Sequence, residues 1–163
     1  MASEAFGTKG VLPPFNSKGR LPYGVHRATW KEFRRRFVFS SRRAELLEGL
    51  LRAVSYLRQA RCPTIYIGGS FATTKFAPRD LDVVWQSETT DWRYLAQIAP
   101  VFFEMTPGNP RQKRLFGGEF FPSEGIETES GLTFLEFFQR DYEKGRRRGV
   151  VELDIRRVKG VKR

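Results

Sequence analysis

Apolar positions along this chain do not keep a single period. Residues 1–23 have none: Gly7, Gly10, Pro13, Pro14, Gly19 and Pro22 interrupt them, which predicts an extended arm that packs against the body or frays. Thr29 followed by Glu32 has the form of a capping box, and Trp30, Phe33 and Phe37 fall at helical spacing. Leu46, Leu47, Leu50, Leu51, Val54 and Leu57 form one stripe, predicting a helix over residues 42–60 that ends before Pro63. The period then shortens. Residues 64–67 are short, β-branched and followed by glycines, so they read as a buried strand. Residues 81–85 read as a second strand, with a polar loop over 68–79 between the two. Trp92, Leu95, Ile98, Ala99 and Phe102 suggest another helix, ended at Pro100 or soon after. Pro107 to Pro110 marks a turn, 115–121 a third strand, 133–139 a helix or a strand, and 149–155 a last strand behind a basic turn at 143–148. The expected class is α/β (α+β), a mixed sheet flanked by helices. The arm would cover 1–28, the folded body 29–155 and a basic tail 156–163.

Composition narrows the class. The 163 residues suit one domain, and 40% apolar with 14% aromatic content is too rich for a disordered chain. No run approaches the length of a membrane span, and the first residues lack the apolar stretch of a secretory signal. Cys62 is the only cysteine, which excludes an internal disulfide and suits a reducing, cytoplasmic setting. With one His besides, an ordinary zinc site is excluded. The net charge of +11 is concentrated in two segments, 31–43 and 140–163, which carry +5 and +6. Clustered Lys and Arg gain affinity for phosphate backbones through counterion release, so Arg34, Arg35, Arg36, Arg146, Arg147 and Arg148 are candidate nucleic-acid contacts. A solvated helix face with a basic tail is the plainer reading of the same charges.

Candidate chemistry lies between the first two predicted strands of the middle region. A strand ends in Gly68-Gly69-Ser70, where glycines let backbone approach an anionic group and Ser70 adds a hydroxyl. After a nine-residue loop, Asp80 and Asp82 open the next strand. Alternation turns both carboxylates to one face and Leu81 and Val83 to the other. Two carboxylates on one face repel unless a positive group lies between them, and a divalent cation with open positions for phosphate oxygens answers that need. Lys75 and Arg79 in the loop are candidate charge-assisted phosphate contacts, with Lys113 and Arg114 weaker cases of the same kind.

The combination apolar–Gly–Ser, nine residues, Asp–apolar–Asp–apolar resembles the signature of the nucleotidyltransferase superfamily typified by DNA polymerase beta. The flanking text, including Leu21-Pro-Tyr-Gly-Val-His26, Gly69-Ser-Phe71, Phe116-Gly-Gly-Glu-Phe-Phe-Pro122, Phe137-Phe-Gln139 and the Gly149-Val-Val run, resembles small stand-alone bacterial nucleotidyltransferase-like proteins. The resemblance implies a minimal nucleotidyltransferase fold. It also implies that Gly69 and Ser70 hold a nucleoside triphosphate, that Asp80 and Asp82 bind Mg²⁺ (or Mn²⁺), and that a third carboxylate comes from a neighbouring strand. Glu119 is the first candidate for that role and Asp154 its rival. The implied reaction moves a nucleotidyl group from an NTP to a hydroxyl of RNA, a tRNA end among the options, or of a protein. A toxin-like or defence-associated role with a cognate protein partner follows by analogy alone. The alternative keeps the fold as an inactive module that binds nucleic acid or a partner protein.

Other signals carry less. Nothing in the sequence brings His26 near Cys62, Gly117-Gly118 lacks dinucleotide-binding spacing, and no Walker lysine motif is present. The Phe-rich segment 134–138 reads as core or interface, with base stacking as the minor option.

Overall fold

The computed structural model describes residues 12–141 and 145–161. Its centre is a five-stranded mixed sheet in the order β1-β7-β2-β3-β4. The strands are β1 (Gly24–Ala28), β2 (Thr64–Gly68), β3 (Leu81–Trp85), β4 (Gly118–Pro122) and β7 (Gly149–Asp154). β1 runs parallel to β7 and β3 parallel to β4, while β2 is antiparallel to both β7 and β3. The α+β expectation therefore holds. A separate two-stranded ribbon joins β5 (Arg140–Asp141) to β6 (Arg146–Arg147).

The helices are α1 (Trp30–Phe37), α2 (Ser41–Gln59), α3 (Trp92–Ile98), α4 (Pro110–Phe116) and α5 (Phe134–Phe138). Thr29 caps α1 by accepting from the Glu32 N–H at 3.1 Å. The reciprocal half of the capping box is not made, because Glu32 Oε1 accepts from the Leu12 N–H at 2.7 Å and ties the arm to the helix. α2 packs its leucine stripe on the sheet face that carries Ile65, Ile67, Leu81, Val83, Phe120, Val151 and Leu153, and these form the main core. Gly49 in α2 is a close-approach site: a Cβ there would stand 2.1 Å from the Phe116 carbonyl at the end of α4. The opposite sheet face is covered in part by α5, whose Phe134 stacks on Phe121 at 4.4 Å. Phe134 and Phe138 of the Phe-rich segment thus pack on Phe121.

Three boundaries differ from the sequence reading. Gly24–Ala28, placed in the arm, is an edge strand, paired with the chain's last long strand. Pro110–Phe116 is a helix, so the third strand begins at Gly118 and not at residue 115. Asn109, in the left-handed region at φ 41°, and Pro110 at the first helical position start that helix. The helix predicted through Phe102 stops at Ile98 and continues as a 3-10 turn from Pro100 to Phe103. Residues 1–11, 142–144 and 162–163, which include parts of the arm, the basic turn and the tail, lie outside the described residues.

Candidate functional site

β2 ends in Gly68, pairs there with Asp82 of β3, and turns away through a 3-10 turn from Gly69 to Ala72. Gly69 adopts φ 61°, and a Cβ on it would lie 2.0 Å from Asp82 Oδ2. The glycine is required twice, by its left-handed backbone and by the carboxylate occupying the space beside it. Ser70 follows, partly exposed, and its carbonyl accepts from the Thr73 hydroxyl at 2.6 Å.

Register shows which carboxylate stands beside Asp82. On the parallel strands β3 and β4, Asp82 pairs with Glu119, so both side chains leave the same sheet face at the same level. Asp154 pairs with Thr64, four residues back along β2 from Gly68, which places it roughly 13 Å from the Asp82 level at strand rise. Its carboxylate is engaged by Arg156 at 2.8 Å and held below the usual range by that bond. Glu152 pairs with Arg27 at 3.0 Å. Glu119 is the carboxylate beside the Asp pair.

Asp82 sits in the most strongly perturbed position. Burial, then the nearby Asp80 and Glu119 carboxylates, push its pKa up to about 7, while Lys113 and Arg148 pull the other way. Lys113 Nζ lies 3.5 Å from Asp80 Oδ2 and 4.0 Å from Glu119 Oε2. The Asn109 amide donates to Glu119 Oε1 at 3.2 Å, while its own Oδ1 is buried with no hydrogen-bond partner among the described residues. Hard oxygen donors with like charge crowded together suit Mg²⁺ or Mn²⁺, and the Gly69 backbone comes close to Asp82. The donor chemistry fits such an ion. Among the described residues, however, no three His, Cys, Asp or Glu side chains are gathered closely enough to hold a metal as they stand.

The loop between Ser70 and Asp80 is held from below by α2. Arg43 is fully buried, and its guanidinium donates to the carbonyls of Phe37, Ser70, Phe71, Thr73 and Lys75 at 2.7–3.4 Å. Burial lowers its pKa to about 10. Arg42 donates to the carbonyls of Pro78 and Arg79, and the Ser40 hydroxyl to that of Phe76 at 2.7 Å. The side chains of Lys75 and Arg79 remain on the exposed surface of this loop. The basic run of α1 and α2 is therefore not one phosphate-facing surface. Arg34 and Arg35 are exposed, whereas Arg36 donates to Pro13 O at 2.7 Å and lies over Phe15.

The second basic segment divides differently. Arg146 and Arg147 are exposed on β6, and the Arg147 guanidinium lies 5.0 Å from the centre of the Tyr23 ring. Arg148 is partly buried and close enough to Asp82 to favour its ionised form. The structure thus gathers Gly69, Asp80, Asp82, Glu119 and Arg148 and leaves Arg34–Arg36 on another element. Asn109 was missed from sequence, although an Asn-Pro step is a helix-start signal that could have singled it out. Lys113, a weaker candidate phosphate contact from the sequence placed just before the third strand, belongs to α4. His26 bonds Pro22 O at 2.7 Å, and the buried Cys62 thiol points to Thr64 O, so the two form no pair. A cavity of about 590 Å³ lies elsewhere, lined by Leu51, Arg52, Tyr56, Ile98, Arg111 and Leu115 among others.

No helix among the described residues is long and apolar enough to cross a membrane. No curated protein matches this chain. No solved structure matches it either. A family model does match over residues 13–154, from the arm through Asp154, and the chain belongs to that family, DUF6932, a family of unknown function.

Proposed function

We propose that this chain is a Mg²⁺-dependent nucleotidyltransferase with a minimal nucleotidyltransferase fold, moving a nucleotidyl group from an NTP to a hydroxyl of RNA with release of pyrophosphate. The observation that carries the reading is the pairing of Asp82 with Glu119 beside Asp80, with Asp82 buried against the Gly69 turn. When bound, Mg²⁺ would neutralise the triphosphate oxygens and acidify the attacking hydroxyl. Asp80, Asp82 and Glu119 are the residues that would hold it. Gly69 lets backbone approach the triphosphate, Ser70 offers a hydroxyl, and Lys75 and Arg79 offer exposed cations to its distal phosphates. An RNA acceptor is favoured over a protein by the exposed Arg146 and Arg147 next to Arg148, which would hold phosphates near the carboxylates. A cytoplasmic setting accompanies this reading, supported by the single buried thiol, Cys62.

The test is calorimetric titration of each of the four NTPs with Mg²⁺, using the wild type and Asp80→Ala/Asp82→Ala. The expected result is metal-dependent binding of one NTP, lost in the double variant, followed by transfer of its labelled nucleotidyl group to RNA. A second reading, an inactive module that binds nucleic acid or a partner protein, draws on Lys113 standing where a metal's charge would act. RNA binding that survives the double variant, with no NTP bound, would select it.

A further inference from the structure

α4 brings two side chains to the carboxylates from one helical face. Asn109 at its cap and Lys113 one turn later are linked by the Lys113 N–H to Asn109 O bond at 3.1 Å. Asn109 holds Glu119 Oε1, and Lys113 spans Asp80 and Glu119. Among the described residues, the cations facing the group are Lys113 from α4 and Arg148 from the segment after β6, against Asp80 just before β3, Asp82 on β3 and Glu119 from β4. Lys113 is partly exposed, with 38% of its side chain accessible, so its ammonium can leave without unpacking the helix. The buried, unpartnered Asn109 Oδ1 beside it marks a polar position that nothing in the described chain satisfies.

We infer that Lys113 is the resident counter-cation of the carboxylate site, displaced when a divalent cation binds, so that it sets the metal affinity of the nucleotide-free protein. This rests on the metal-dependent reading above. A single positive charge 3.5 and 4.0 Å from two ligand carboxylates opposes a second cation directly, and its own interactions are lost when that cation enters. The exchange moves no covalent bond: one ammonium leaves the carboxylates and one divalent ion takes its place. Lys113 is thus a positioning residue that keeps the site neutralised between turnovers, with Asn109 holding Glu119 toward it.

Titration of the full chain with Mn²⁺ alone, followed by electron paramagnetic resonance without nucleotide, tests this. Lys113→Met and Lys113→Gln should each bind Mn²⁺ about tenfold more tightly than wild type, while Lys113→Arg, which keeps the charge, should stay near wild type. Circular dichroism should show all three folded alike. Equal or weaker Mn²⁺ binding by the Met and Gln variants, with binding still abolished by Asp82→Asn, would overturn the role of Lys113 and leave the metal site standing. Absence of Mn²⁺ binding in every form would overturn both.

Discussion

Asp82 occupies the space beside Gly69 where any other residue would place its Cβ, its Oδ2 lying 2.0 Å from that point. The turn that ends β2 and the carboxylate that opens the site on β3 are therefore one packing unit. Gly69→Ala should cost about 1–2 kcal/mol from the left-handed backbone alone. It should also displace Asp82. Urea unfolding gives the first effect, and loss of Mn²⁺ affinity at constant helical content gives the second.

Asp82 also makes stability depend on pH. Its pKa is about 7 in the fold against 3.8 in the unfolded chain. Between those values the folded state keeps a proton that the unfolded state has released, so stability is full below about pH 4 and falls as pH rises through 7. Asp82→Asn removes that loss. Its stability relative to wild type should rise by roughly 2.5 kcal/mol from pH 5 to pH 8 in urea denaturation at the two pH values.

Arg43 holds the loop after β2 through backbone carbonyls and lies over the Phe39 and Phe71 rings, an arrangement a lysine cannot reproduce with three donors on a single nitrogen. Arg43→Lys should destabilise the protein by about 2–4 kcal/mol by leaving buried carbonyls unpaired. Thermal unfolding measures it, and NTP affinity should fall in parallel because residues 70–75 lose their anchor.

The two rival carboxylates separate in a simple comparison. Glu119→Gln should weaken Mn²⁺ binding at least tenfold, by loss of a charged ligand. Asp154→Asn should leave it unchanged, since that carboxylate serves Arg156 at the far end of β7. Isothermal titration of both variants decides the matter.

Exposed Arg146 and Arg147 should contribute to RNA affinity through phosphate contacts. Replacing both by Ala should reduce the slope of log K against log salt by about 1.4 for single-stranded RNA. Arg36→Ala should weaken the tie between the arm and α1, seen as a lower melting temperature, because its guanidinium is committed to Pro13 O and Phe15.

Much of the architecture was legible from short-range patterns. The alternation through Leu81–Trp85, the leucine stripe of α2 and the Gly-Gly-Ser turn each depend on backbone geometry within a few residues, and each appears where the pattern puts it. Asp82 takes its expected place on β3, whereas Asp80, expected to open that strand, stands one residue before it, so strand pleat does not by itself turn the two together. Partners distant in sequence decided the rest. Gly24–Ala28 is a strand only because Gly149–Asp154 offers it a parallel edge, and Glu119 rather than Asp154 joins Asp82 only because β4 pairs with β3 in that register. Arg42 and Arg43 of α2 turn toward the loop over residues 70–79 because it presents carbonyls to them, and Lys113 meets the carboxylates because α4 starts just after its cap Asn109. Periodicity thus determined which residues share a face, while strand register and long-range hydrogen bonding determined which faces, charges and carboxylates meet.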